Sequence, residues 1–205
     1  FSEGNHSRLR PGDIKYRDLN GDGVIDDYDK MPVGFCDIPE ITYGFGGAIE
    51  WKGFDVSIFF QGTARVSIFE EGSAVVPFSS GYKNNNGFLK GVMEDRWTVD
   101  NPNPNARYPR TIRPSDALDN NNTKKSSFWV RNAAYLRLKN AEIGYTFPKR
   151  WMEKMAIQNL RLYVSGVNLL TWAPDVRLFD PELGSGDGRK YPPTRVFNVG
   201  LNINF

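Results

Sequence analysis

The end of the chain shows the clearest periodicity. In the segment 195–205, every second position is apolar, and Asn or Gly fills most of the positions between. The apolar positions are Phe197, Val199, Leu201, Ile203 and Phe205. Alternation with a period of two is typical of a strand with one apolar and one polar face. The pattern therefore predicts a strand that continues to Phe205.

Two earlier runs, 42–51 and 54–61, alternate in the same way, and only Lys52 and Gly53 separate them. Alternating runs joined by about two residues, one of them Gly, are typical of a tight β-hairpin. Further strands are predicted at 134–147, with a change of phase near 139–141, and at 160–169. Helical signals are limited to 89–97 and to one or two turns at 149–155 after Pro148. Asn-rich turns are predicted at 84–86 and 119–122.

The lengths of the strands and of their connections indicate that the polar face points inward and the apolar face toward lipid. Runs of about 10 residues exceed the usual ~5–6 of a soluble sheet and match the ~9–11 of a membrane-spanning strand. The connections alternate between long and short, as in outer-membrane barrels with long outer loops and short periplasmic turns. Aromatic residues lie near the strand ends, where lipid-facing girdles occur: Tyr43, Trp51, Phe147, Trp172 and Phe205. A soluble β-sandwich with one decorated edge is the alternative that this pattern leaves open.

The predicted fold is all-β: the C-terminal segment of a large antiparallel transmembrane barrel with long extracellular loops. It divides the chain into six parts. They are an extracellular loop at 1–41, a transmembrane hairpin at 42–62, a long extracellular loop at 63–133, transmembrane strands with a short periplasmic helical turn at 134–170, an extracellular loop at 171–194, and a terminal strand at 195–205.

The segment 18–29 has the spacing of a calcium-binding loop. Oxygen-bearing side chains stand at loop positions 1, 3, 5, 9 and 12, Gly23 stands at position 6, and Ile25 at position 8. A hard cation needs several oxygen ligands that converge, and alternate positions of a tight turn supply them. The predicted ligands are Asp18, Asn20, Asp22, the carbonyl of Val24, Asp26 and Asp29. Because Asp29 replaces the usual Glu and the flanks are not helical, we expect a weak structural ion, Ca²⁺ or Mg²⁺. A metal-free acidic turn is the alternative.

Composition excludes several classes of function. With 26 Lys and Arg against 24 Asp and Glu, the net charge of +2 gives no electrostatic footprint for nucleic acid. The single Cys36 excludes an intrachain disulfide and is read as a small packing residue. The single His6 leaves little room for a His-based catalytic triad. Glu70 and Glu71 are adjacent, so in a strand they point in opposite directions and form no glycosidase pair. We predict no catalytic site and no organic cofactor.

Several blocks of sequence, in this order, resemble the C-terminal part of SusC/RagA-like TonB-dependent outer-membrane transporters. The resemblance covers nearly the whole chain. The blocks are Gly12-Asp13-Ile14-Lys15-Tyr16 before the acidic loop, Pro39-Glu40-Ile41-Thr42-Tyr43-Gly44-Phe45-Gly46, Asp95-Arg96-Trp97-Thr98 with Asn101-Pro102-Asn103 and Tyr108-Pro109-Arg110, the run from Ser127 to Asn140 with Gly144-Tyr145, Leu162-Tyr163-Val164-Ser165-Gly166-Val167-Asn168-Leu169, and the terminal Phe205.

This resemblance implies a 22-stranded barrel in the bacterial outer membrane, closed by an N-terminal plug through which TonB acts. A SusD/RagB-like surface lipoprotein caps such a barrel, and oligosaccharides or peptides are imported with the proton-motive force. The terminal strand, Gly200 to Phe205, would carry the signal for outer-membrane assembly. The plug is absent from this sequence, and unpaired strand edges are not tolerated in lipid. We therefore expect a C-terminal piece of a longer chain, whose two edges pair with the remainder.

Two other functions compete with this interpretation. The first is a secreted, calcium-stabilised β-sandwich that binds glycans. The second is a calcium-dependent glycoside hydrolase, which would need two carboxylates that face a common cleft. Trp97 and Trp129, both in the long loop, either stack on sugars or a protein cap or pack the loop against the sheet.

Overall fold

The structure is a computed structural model that describes residues 9–72, 75, 89–111, 121–152, 156–186 and 188–205. The predicted turn at 84–86 lies outside this range, as do residues 119–120 of the second turn and residues 153–155 of the second helical segment. In chain order, the elements are β1 Ile41–Trp51, β2 Phe54–Ala64, β3 Ser67–Phe69, α1 Lys90–Glu94, β4 Val130–Asn132, β5 Tyr135–Thr146, α2 Lys149–Met152, β6 Asn159–Trp172 and β7 Val196–Asn204.

Five long strands form one antiparallel sheet in the order β1-β2-β5-β6-β7. Each of them lies where the alternation of the sequence predicts a strand. The register shifts between Leu138 and Asn140, which confirms the predicted change of phase in that segment. The sheet runs from β1 to β7, and within the described residues each of these outermost strands has a neighbour on one side only.

A two-residue turn joins β1 to β2. Lys52 and Gly53 have φ angles of 50° and 89°. Positive φ at both central positions is the geometry whose twist matches the twist of the flanking strands. Since the N–H of Thr146 in β5 also donates to the carbonyl of Gly53 at 2.7 Å, this turn and the end of β5 lie at the same edge of the sheet. We call this edge, which includes the described parts of the next link, 147–152 and 156–158, the short edge.

The segment 63–133 differs from the prediction of a loop without strands. β2 continues to Ala64, and β3 pairs with β4 as a separate two-stranded sheet. Strands of three residues are too short to show a period of two, so the sequence pattern does not reveal them. The segment also contains α1, within the helix predicted at 89–97.

Buried apolar side chains gather at the opposite edge of the sheet, which we call the long edge. One cluster comprises Val66, Ile68, Ala133 and Val176, and a second comprises Val75, Val92, Tyr108 and Trp129. Both clusters consist of residues from the long connections, which pack together as a compact unit. We call this unit the loop body; it consists of 9–16, 65–72, Val75, 89–111, 121–134 and 173–186.

The apolar face of the long sheet is uncovered. Phe197 is 72% exposed, Leu201 55%, Phe54 49% and Ile58 44%. The described residues place no second sheet over these side chains, so the β-sandwich alternative is not favoured. None of the helices in the described ranges is long and apolar enough to cross a membrane.

Candidate functional site

The apolar face carries an aromatic row near each edge. Near the short edge, the rings of Phe54 and Tyr145 lie 4.6 Å apart, and those of Tyr145 and Phe147 lie 5.1 Å apart. Near the long edge, Phe60 lies 5.2 Å from Phe45 and 6.4 Å from Trp172. From Trp51 to Tyr43 the face extends about 27 Å along β1, at about 3.4 Å per residue. An apolar band of about 25 Å between aromatic girdles is typical of a lipid-facing sheet.

The opposite, polar face carries an ionic cluster near the short edge. The Arg161 guanidinium of β6 donates to both oxygens of Asp55 in β2, with Nε at 3.0 Å from Oδ1. It also donates to Glu142 of β5 at 2.6 Å. The same guanidinium lies 4.9 Å from the ring centroid of Tyr163. One cation therefore ties three adjacent strands together on this face.

Glycines on the polar face leave room for rings from neighbouring strands. A methyl group on Gly44 would lie 2.9 Å from the Phe59 ring, and one on Gly200 would overlap the Tyr163 ring. Both glycines therefore have a packing role, since a larger residue at either position would displace the ring.

A cavity of about 260 Å³ opens where the polar face meets the loop body. Its lining includes Arg137 of β5, Asn168 and Thr171 of β6, Asp180, and Arg195 just before β7. Arg137 is 1% exposed and donates to both oxygens of Asp180, at 2.7 and 2.6 Å. It also donates to Glu182 at 3.2 Å. These ion pairs hold the segment after β6 over the end of the sheet.

Glu70 organises the interior of the loop body. Its carboxylate is fully buried, accepts from Arg131 Nε at 2.7 Å and lies 3.4 Å from Arg107 Nη2. Arg107 also pairs with Asp175 at 3.1 Å, which links the connection after β2 to the connection after β6. Burial raises the pKa of the Tyr108 phenol, and the nearby Glu70 carboxylate raises it further. Sequence reasoning missed this network, because its members are distant in the chain.

The sequence blocks that carry the resemblance meet in the loop body. Asp13 pairs with Arg110 at 2.5 Å and accepts from the Asn122 amide at 2.8 Å. The Trp129 indole donates to the Asn122 carbonyl at 3.0 Å. Gly12 lies against the Trp97 ring, so a side chain there would collide with it. Three of the sequence blocks, those that begin at Gly12, Asp95 and Ser127, therefore supply side chains that pack or pair with one another at this point.

Several side chains considered for chemistry have structural surroundings. Trp129 is 4% exposed and belongs to the core, and Trp97 is half-buried, so both pack the loop body. Glu70 is buried, whereas its neighbour Glu71 points outward and pairs with Lys125 at 3.0 Å, as the strand geometry predicts. The prediction that Cys36 is a packing residue is wrong, because its side chain is exposed.

The acidic loop 18–29 is folded by bonds between its side-chain oxygens and its own backbone. Asp18 accepts from the amides of Gly21 and Gly23, at 2.6 and 2.8 Å. Asp29 accepts from the amides of Leu19 and Asp26, at 2.7 and 2.9 Å. The bonds from Asp26 and Leu19 lower the pKa of the Asp29 carboxyl. Gly21 and Gly23 have φ angles of 81° and 84°, which the tight course requires.

The donor set of this loop is all oxygen, as a hard cation prefers. Among the described residues, however, no group of three or more His, Cys, Asp or Glu side chains lies close enough together to hold a metal ion. The ligand prediction for Asp18, Asn20, Asp22, Val24, Asp26 and Asp29 therefore stays a prediction.

In comparisons with known proteins, the chain matches several proteins that are all named TonB-dependent receptors. The chain is 32% identical over 208 residues to TonB-dependent receptor P26 of Formosa agariphila, and the matched region covers 95% of this chain and 20% of the receptor. It is 31% identical to TonB-dependent receptor P3 of the same organism, over 95% of this chain and 19% of that receptor. TonB-dependent receptor SusC of Bacteroides thetaiotaomicron is 24% identical, over 96% of this chain and 18% of SusC. No family model matches the chain.

Solved structures agree on the fold. A structure of the RagAB peptide importer in a closed-closed state superposes with a TM-score of 0.67 at 22% identity, over 88% of this chain and 19% of that chain. A second structure, of the RagAB peptide transporter, gives 0.61 at 23% identity, over 83% and 18%. The resemblance to SusC/RagA-like TonB-dependent transporters and the all-β antiparallel fold are thus confirmed. The chain spans about a fifth of the length of the curated relatives it matches.

Proposed function

We propose that this chain forms part of the barrel wall and the outer loops of a TonB-dependent importer in the bacterial outer membrane. The observation that carries the proposal is the uncovered apolar face of the sheet, bounded by aromatic rows, while the other face is polar and charged. Lipid on the first face and water on the second is the arrangement of a transmembrane barrel. In this arrangement the chain moves a solute by binding and passage, and it breaks no covalent bond.

The orientation follows from the two edges. Long connections in such barrels lie outside the cell and short ones in the periplasm. We therefore place the loop body on the cell surface and the Lys52-Gly53 turn in the periplasm. The cavity beside Arg137 then lies where the barrel interior opens outward, on the path that a solute would take.

The remainder of the longer protein supplies the missing parts in this proposal. β1 and β7 would pair with its other strands to close a barrel of 22, and the plug, with its TonB contact, would fill the polar interior. A SusD/RagB-like lipoprotein would cover the loop body. RagAB is a peptide transporter, and we propose oligosaccharides or peptides as the class of cargo.

Import is tested by deleting the gene for the full-length protein in its native host. The strain is grown with either a tryptic protein digest or a soluble oligosaccharide mixture as sole carbon source. We expect slower growth on one of the two and restoration by the intact gene. In the parent strain, uptake of that cargo should stop when a protonophore collapses the proton-motive force. Normal growth of the mutant on both sources would contradict the proposal.

We further propose that the loop 18–29 binds Ca²⁺ as a static structural ion, with Mg²⁺ as the competing cation. Asp18, Asn20, Asp22, the Val24 carbonyl, Asp26 and Asp29 would supply oxygen ligands after small movements of the side chains. Extracellular calcium sites tolerate Kd values of about 10⁻⁴–10⁻³ M, so a weak site suffices on the cell surface.

Terbium luminescence tests this site, because the exposed Tyr28 lies within the loop and can sensitise a bound ion. We expect a luminescence signal from the full-length protein that Ca²⁺ displaces at lower concentration than Mg²⁺. The double variant D18N/D22N should lose the signal, while D100N, an exposed acid outside the loop, should retain it. An undiminished signal in D18N/D22N would leave the loop metal-free.

A further inference from the structure

Exposed cations that pair with no described acidic side chain lie at the short edge of the sheet. They are Lys52 in the turn after β1, and Lys149 and Arg150 in α2. Within the part of the chain that the structure describes, none of the three forms an ion pair. By contrast, Arg65 at the long edge pairs with Glu40 at 2.6 Å.

These cations lie beside the aromatic row of the apolar face. The ammonium of Lys52 is 4.8 Å from the ring centroid of Trp51, which is 65% exposed. The row continues through Phe147 to Trp151, whose rings lie 6.1 Å apart. Trp151 is 54% exposed and follows Lys149 and Arg150 directly. Exposed indole rings with cations beside them are suited to the boundary between hydrocarbon and polar headgroups.

The carboxylates of this part of the sheet point the other way. Asp55 is engaged by Arg161 on the polar face. Glu50 pairs with Asp55 across the hairpin, so both side chains project from that same face. The charge of Lys52, which lies beside Trp51, is therefore not offset by either of these carboxylate side chains.

We propose that this edge binds the phosphates of anionic phospholipids in the periplasmic leaflet of the outer membrane. The proposal rests on the function above, in which the apolar face meets lipid. A lipid is favoured over a protein partner because the cations adjoin the exposed aromatic row, whereas the plug would occupy the polar face. Each cation near an anionic surface contributes an affinity gain of about fivefold.

Native mass spectrometry of the delipidated full-length protein in detergent provides the test. The probes are phosphatidylglycerol and phosphatidylcholine with identical acyl chains, supplied at equal concentration. We expect more bound phosphatidylglycerol than phosphatidylcholine. The triple variant K52Q/K149Q/R150Q should lose this preference by about fivefold for each cation that contacts a headgroup. The control K30Q/K90Q/K125Q removes the same charge from exposed lysines away from the short edge, and it should keep the preference.

Equal binding of the two lipids by the unmodified protein would overturn the proposal. A preference that survives in the triple variant would overturn it as well. So would a preference that the control variant loses to the same extent, because charge in general and not this edge would then be responsible. Capture of a periplasmic protein in place of lipid would also count against it. Failure of the proposed function would be distinguishable, because the full-length protein would then not integrate into membranes. Membrane integration is measured for every variant by the heat-dependent gel shift of a folded barrel.

Discussion

Gly200 illustrates how one missing side chain shapes the polar face. A methyl group at this position would overlap the Tyr163 ring, which lies over the backbone of β7. We expect Gly200→Ala to displace the ring and to cost about 1–3 kcal/mol, as overpacking does. Gly47→Ala is the matched control, because nothing lies within 4 Å of the added carbon there. Thermal unfolding of the full-length protein should show a lower Tm for the first variant only; equal values would show that the ring adapts freely.

Glu70 and Glu71 are neighbours with opposite environments, and they offer a second comparison. Glu70→Gln leaves the buried Arg131 without its carboxylate and leaves Arg107 with Asp175 alone, so we expect a loss of about 3–5 kcal/mol in the local stability of the loop body. Glu71→Gln removes a partly exposed pair with Lys125 and should cost less than about 1 kcal/mol. Hydrogen exchange of the Ala133 amide, which donates to Val66 at 3.0 Å, measures this local stability. Similar protection in both variants would contradict the assigned role of Glu70.

Tyr108 makes the loop body sensitive to high pH. Burial and the Glu70 carboxylate raise the pKa of its phenol in the folded state. A raised pKa means that the stabilisation is complete below the unfolded value of about 10 and is lost as the pH rises above it. We therefore expect the Tm of the wild type to fall more steeply between pH 10 and 11.5 than that of Tyr108→Phe. Parallel profiles would show that the phenol ionises as readily in the folded protein as in the unfolded one.

At the scale of one strand, apolar and polar positions alternate along β2 residue by residue, and the proposal assigns the first to lipid and the second to water. Ile58 lies on the apolar face opposite Gly47, which is midway between Trp51 and Tyr43 on β1, and Ser57 lies on the polar face opposite Glu142. A lysine near the bilayer midplane costs about 2–4 kcal/mol, so Ile58→Lys should sharply reduce the folded, heat-modifiable protein in outer-membrane fractions. Ser57→Lys should have little effect. The reverse order would mean that the apolar face does not meet lipid.

The long strands could be predicted from sequence because the alternation that defines them is local. The hairpin turn at Lys52-Gly53 and the irregularity at Leu138–Asn140 are local as well, and both appear where the pattern changes. β3 and β4 could not be predicted, since three residues carry no period and their pairing joins Ser67 to Asn132 across a long insertion.

The candidate sites divide in the same way. The acidic loop is recognisable as a candidate metal site because all its predicted ligands fall within twelve positions of one segment. The cavity beside Arg137 and the ion pairs of Glu70 are assembled from segments that are distant in the chain. The spacing of residues in the sequence therefore does not predict them. The prediction for Cys36 is wrong because it rests on residue type alone: cysteine is often buried, but its position before β1 leaves this side chain exposed.

At the scale of the whole molecule, the described residues leave the five-stranded sheet with two open edges and an uncovered apolar face. Open edges and exposed apolar surface both favour association between chains. We therefore expect the 205-residue chain, produced alone, to aggregate in buffer and to remain dispersed only in detergent. Sedimentation velocity with and without detergent measures this directly. A monodisperse 23.3 kDa species in plain buffer would require another cover for Phe197, Leu201 and Ile58, and it would contradict the assignment of that face to lipid.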